Sequence, residues 1–203
     1  MAVSTQTRSQ LDPRFFFLLK ALDLRVTWLW VLQQCWFLII LASLGTLSYF
    51  LISHFVVQAV QVQGPSMYPT LKNSEFHWLN RLSYVISEPR RNDIIALKDP
   101  RDNVLEVKRI IAMPGQTVCL KNGRVYIDGT LLQEPYLLPK TPTYAHEKNA
   151  NVLIGFGKNE YFVMGDHRSI SSDSRDFGPV DRDLIYGKAT FIYWPADNVG
   201  VVR

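Results

Sequence analysis

The sequence predicts a mainly β protein carried on one N-terminal transmembrane helix. Three observations predict it. No Asp, Glu, Lys or Arg occurs from Val26 to Leu71, and about 20 apolar residues suffice to span a bilayer. Beyond that stretch, short runs rich in β-branched and aromatic residues alternate with turn signals, and helical periodicity is scarce. Asn122-Gly123 separates two such runs, the strongest short-range signal for a hairpin.

The elements follow in chain order. Residues 1–27 read as a cytoplasmic segment, 28–57 as a transmembrane signal anchor and 58–203 as an extracytoplasmic domain. The most apolar part of the anchor, about 36–57, exceeds the 7–15 residues of a signal-peptide core, so the anchor is expected to be retained. Trp28, Trp30 and Trp36 suit one membrane interface. Arg8, Arg14, Lys20 and Arg25 precede the span, and no basic residue follows until Lys72. The positive-inside rule then places the N-terminus in the cytoplasm, with a bacterial plasma membrane as the default. Residues 15–22 suggest a short interfacial helix. Strands are expected at 93–97, 104–112, 118–121, 124–128, 160–164 and 187–194. Residues 133–159, which hold Pro135, Pro139, Pro142, Gly155 and Gly157, read as a loop-rich excursion.

Composition removes several function classes. The net charge is +4, but the charge is dispersed, with no Lys/Arg block to bind nucleic acid. Cys35 and Cys119 fall in different environments, and no disulfide is expected between them. The four histidines are scattered and neither cysteine has ligand spacing, so no metal site is expected.

Two residues carry the chemistry. Ser66 lies just past the anchor in Gly-Pro-Ser-Met-Tyr-Pro-Thr-Leu (64–71), and Lys108 stands in the strand-like run 104–112. A serine hydroxyl needs a base to take its proton. A lysine can serve only when neutral, and an apolar setting favours that form. On a strand Lys108 shares a face with Val104, Glu106 and Ile110. Glu106 suits a neutral lysine only if it turns to solvent. Each residue alone also has a plain structural reading, as a turn serine or a snorkelling lysine. A polar loop, Gly165 to Gly178, follows the strand at 160–164. It could brace a site, or simply pair Asp166, Asp173, Arg168 and Arg175 among themselves.

Taken together, these segments resemble the type I signal peptidases, membrane-bound Ser/Lys proteases. Residues 64–71 resemble that family's nucleophile box. Val-Lys-Arg-Ile-Ile-Ala-Met-Pro-Gly (107–115) resembles its lysine box. Residues 165–178 resemble its last conserved loop, and Asn-Asp-Ile-Ile-Ala (92–96) a weaker strand motif. The resemblance implies coiled antiparallel β-sheets with a small inserted β region at about 116–160. It implies Ser66 as nucleophile and Lys108 as general base, then general acid. Ser171 would orient the lysine, and Asp173 and Arg175 would form a supporting ion pair. Val62, Met67, Leu71 and Val107 would line the substrate pocket, or serve as plain core. Preprotein signal peptides, the lipid bilayer and the secretion translocon are the implied partners, without cofactor. Two positions depart from the usual pattern. Gly64 stands where some members carry a serine that helps the oxyanion hole. His167 replaces an asparagine, which leaves a Ser66–His167 pair as a second reading.

Overall fold

A computed structural model describes residues 13–145, 152–155 and 157–202. Arg8, and His146 in the expected insert, lie outside these residues. The chain divides into two compact units, Met1–Leu51 and Ile52–Arg203.

The first unit holds one helix, α1 (Pro13–Leu51). Its stretch Thr27–Leu51 has a mean hydropathy of 1.6 and none of it is buried. At 1.5 Å per residue it is long enough to cross a hydrocarbon core of about 30 Å. The interfacial helix expected at 15–22 is not separate, because α1 runs through it without a break.

The second unit opens with a π-helical turn, Ile52–Val56, and is mainly β, as the sequence predicts. Its strands are β1 (Val57–Gln61), β2 (Phe76–Asn80), β3 (Ile94–Lys98), β4 (Leu105–Ala112), β5 (Thr117–Lys121), β6 (Arg124–Ile127), β7 (Thr130–Leu131), β8 (Val152–Gly155), β9 (Glu160–Met164), β10 (Val180–Asp181), β11 (Ile185–Trp194) and β12 (Gly200–Val201). Two short helices, α2 (Ser83–Ile86) and α3 (Ser174–Phe177), interrupt them. One sheet has the order β1-β2-β11-β3-β4-β9-β10, with β12 on β11; a second has β7-β6-β5-β8. The pairings are antiparallel.

The hairpin at Asn122-Gly123 forms with Lys121 opposite Arg124. Both turn residues have positive φ, 52° and 72°, the conformation that Asn-Gly adopts at low cost in a two-residue turn. The sequence reading missed β1, β2 and β8, and the two-residue strands β7, β10 and β12. β8 falls inside the expected loop excursion and exists by pairing with β5. Such a four-residue strand is specified by its partner more than by its own residues.

Three apolar clusters fill the interior. Ile95, Leu97, Ile110, Tyr161 and Val163 centre the first. Ile111, Val118, Val125, Phe162 and Met164 join the two sheets in the second. Val62, Met67, Leu71, Ile94, Ala189 and Ile192 form the third, beneath the Ser66 loop.

Candidate active site

β4 positions most of the site. Its first five residues pair with β3, from Lys98 opposite Leu105 to Ile94 opposite Arg109. On its other side β9 reaches only as far as Met164, opposite Arg109. Among the described residues, the backbone from Leu105 to Lys108 therefore has no strand on that side. Past Met164 the chain leaves the sheet at Gly165, and the loop between β1 and β2 brings Ser66 to the vacated edge.

Two contacts fix that approach. The His167 N–H donates to the Ser66 carbonyl at 2.9 Å. A Cβ on Gly165 would stand 2.2 Å from Ser171 Oγ and 2.4 Å from the Ser66 carbonyl oxygen. Glycine is thus what lets the two loops meet.

Lys108 is 2% exposed. Its Nζ lies 3.5 Å from Ser66 Oγ and 2.9 Å from Glu106 Oε2. Glu106 does not turn away to solvent; its carboxylate offsets a buried charge that would otherwise be costly. Asp99, at the end of β3, is buried and lies within electrostatic range of Lys108. Hydrogen bonds from the Arg101 side chain hold its carboxyl below the usual range.

Asp173 and Arg175 meet as a two-pronged pair, at 2.8 Å on each oxygen. Asp173 Oδ2 also accepts from the Gly165 N–H at 3.0 Å, and Asp173 caps α3. The pair therefore braces the turn on which Ser66 rests. Ser171 is fully buried beside Gly165. Among the described residues its hydroxyl has one hydrogen bond, to the Ser172 carbonyl at 3.5 Å. Val62, Met67, Leu71 and the partly buried Val107 pack together in the third cluster. Met67 and Leu71 have no exposed surface, so in this structure they are floor rather than wall.

The last loop does not pair its charges among themselves, apart from Asp173 with Arg175. Asp166 pairs with Arg109 of β4 at 2.9 and 2.7 Å, both side chains buried. Arg109 also donates to Thr70 Oγ1 at 3.2 Å, and Thr70 to Asp166 at 2.5 Å. Arg168 reaches Glu134, Thr143 and the Gly165 carbonyl. Sequence reasoning missed this Thr70–Arg109–Asp166 tie, which joins the nucleophile loop, β4 and the last loop. The available signal was an arginine inside an apolar strand, which when buried requires a carboxylate.

The two departures also resolve geometrically. Gly64 has φ +90°, where a side chain is strained even though nothing lies within 4 Å of its Cβ position. Among the described residues, the Ser66 N–H has no hydrogen-bond acceptor. The His167 ring faces Tyr68 at 6.0 Å between centroids. Among the described residues, His167 Nδ1 has no hydrogen-bond partner and Ser66 Oγ bonds only to Lys108. The Ser66–His167 pair does not form.

Comparison with known proteins gives the family. A family model described as signal peptidase, peptidase S26, matches residues 31–194. The chain is 37% identical over 155 residues to signal peptidase I T of Bacillus subtilis (strain 168), covering 73% of this chain and 80% of that one. It is 33% identical over 158 residues to signal peptidase IB of Staphylococcus aureus (strain N315), covering 72% and 82%. A solved signal peptidase I from Enterococcus faecalis V583 is 33% identical, with a TM-score of 0.45, covering 51% of this chain and 98% of that one. The chain therefore belongs to the signal peptidase family of serine peptidases, peptidase S26.

Proposed function

We propose that this chain removes signal peptides from exported preproteins at the outer face of the plasma membrane, using Ser66 and Lys108. The observation that carries the reading is the 3.5 Å approach of Lys108 Nζ, on a buried strand, to Ser66 Oγ. Neutral Lys108 takes the Ser66 proton as Oγ attacks the scissile carbonyl carbon, and the oxyanion forms against the unspent Ser66 N–H. The resulting Lys108 ammonium returns the proton to the leaving amine. Water then hydrolyses the acyl-enzyme with Lys108 again as base. Ser171 is assigned to orient the lysine once its hydroxyl turns from the Ser172 carbonyl, and Asp173 with Arg175 holds the supporting turn.

The open backbone edge at 105–108 accepts an extended peptide as an added strand, so that alternate side chains face the cluster of Val62, Met67, Leu71 and Val107. Such apolar pockets favour the small residues that precede a signal-peptide cut. Residues 28–57 anchor the chain, 1–27 are cytoplasmic, 58–203 are extracytoplasmic, and 116–160 form the insert. Enzyme and substrate then share one bilayer, which raises their effective concentration.

The test is cleavage of a preprotein by full-length protein in vesicles. Ser66→Ala and Lys108→Ala are each expected to abolish cleavage while membrane insertion persists. Full activity in Lys108→Ala would overturn the dyad.

A further inference from the structure

The contact that the dyad chemistry leaves unused is the shorter of the two that Lys108 makes. Its Nζ sits 2.9 Å from Glu106 Oε2 but 3.5 Å from Ser66 Oγ. We propose that Glu106 is a positioning residue that restrains the base. Its carboxylate holds the Lys108 ammonium in the resting site and sets the pH at which Lys108 becomes available to Ser66. This rests on the Ser66–Lys108 reading above.

Of the carboxylates near Lys108, Glu106 is the one placed for that role. Asp99 also acts on Lys108, but Arg101 takes its charge through bonds from Nε and Nη2. Arg101 also acts on Glu106 and on Asp176 electrostatically, without an ion pair to either among the described residues. Glu106 has one ion pair among those residues, the one to Lys108. From the nucleophile loop only the Ser66 hydroxyl reaches the lysine. From the last loop His167 reaches Ser66 through its backbone N–H, with its ring against Tyr68. β3 places apolar Ile95 opposite Lys108. One carboxylate thus faces the base without a competing hydrogen-bonded cation.

The chemistry balances simply. The ammonium must lose a proton to water before Lys108 can accept the one on Ser66 Oγ. A facing negative charge opposes that loss. The Glu106 side chain is 28% exposed although the Oε2 facing Lys108 is buried, so a turn of the carboxylate toward solvent releases the lysine when substrate fills the site.

The experiment is the pH dependence of kcat/KM for full-length wild type, Glu106→Gln and Glu106→Thr, each normalised to its own plateau. A unit charge 2.9 Å away, screened as in water, corresponds to about one pH unit. The acid limb of both neutral variants is therefore expected at least about one unit lower, with roughly tenfold more relative activity on that limb. Glu106→Asp keeps the charge and should return the limb toward wild type, which a merely structural role would not do. Histidine titrates near neutral pH, so the comparison is repeated with His167→Asn, where the shift should persist. Using two neutral variants keeps the test open if one fails to fold. A limb that stays in place, or moves to higher pH, overturns the proposal. If Lys108→Ala is inactive and the limb is unmoved, only the role of Glu106 falls. If Lys108→Ala is active, the dyad falls and Glu106 with it.

Discussion

Gly165→Ala concentrates the structural reasoning in one methyl group. The added Cβ would meet the Ser66 carbonyl oxygen at 2.4 Å, whereas ordinary contact begins at 3.4 Å. The obstacle is backbone, so it cannot swing aside as a side chain would. The two loops must separate by about 1 Å, and the 2.9 Å bond from the His167 N–H to Ser66 stretches with them. Overpacking of this kind costs roughly 1–3 kcal/mol of stability. The effect on rate should be larger, because a misplacement of about 1 Å can cost about 10²-fold. The assay is kcat and KM for a preprotein substrate with detergent-solubilised full-length protein, beside a thermal melt. Expected are a kcat reduced about 100-fold, a smaller change in KM and a modestly lowered melting temperature. Gly155→Ala is the control, since nothing lies within 4 Å of its Cβ position. A Gly165→Ala enzyme with wild-type kcat and wild-type melting would refute the claim that this glycine sets the approach of the loops.

Other outcomes follow from the same geometry. Asp166→Ala removes the carboxylate paired with the buried Arg109 guanidinium and should cost about 3–5 kcal/mol in urea unfolding, more than Arg109→Met combined with Asp166→Leu. If Ser171 orients the base as proposed, Ser171→Ala should lower kcat more than it raises KM; an unchanged kcat would remove Ser171 from the site. His77 is buried, neither ring nitrogen has a hydrogen bond among the described residues, and burial lowers its pKa below 6.5 against a smaller opposing effect of Glu75. Its neutral form is thus favoured by folding, so stability holds above about pH 6.5 and declines as the pH falls through the lowered value. Urea midpoints at about pH 7 and pH 5 should differ more for wild type than for His77→Gln.

What could be read in the sequence depended on whether a feature is local. The Asn122-Gly123 hairpin was legible because two adjacent residues determine the turn. β8 was not, since only β5 makes it a strand. The same division runs through the site. Ser66 and Lys108 stood out as residue types in context, but the partner of Arg109 lies 57 positions away, and no local pattern pairs it with Asp166. By sequence, Glu106 suits a neutral lysine only if it turns to solvent; in the structure its Oε2 meets Lys108 instead. That difference matters chemically. The buried basic side chains around the Ser66 loop each meet a carboxylate: Arg109 with Asp166, Arg168 with Glu134, Arg175 with Asp173 and Lys108 with Glu106. An arginine stays charged at any working pH, so the first three pairs can only hold the loops in place. A lysine can give up its proton, and a carboxylate beside it regulates when. The site thus separates scaffold from chemistry by the choice of base within one repeated motif, and Glu106 stands on the side of chemistry.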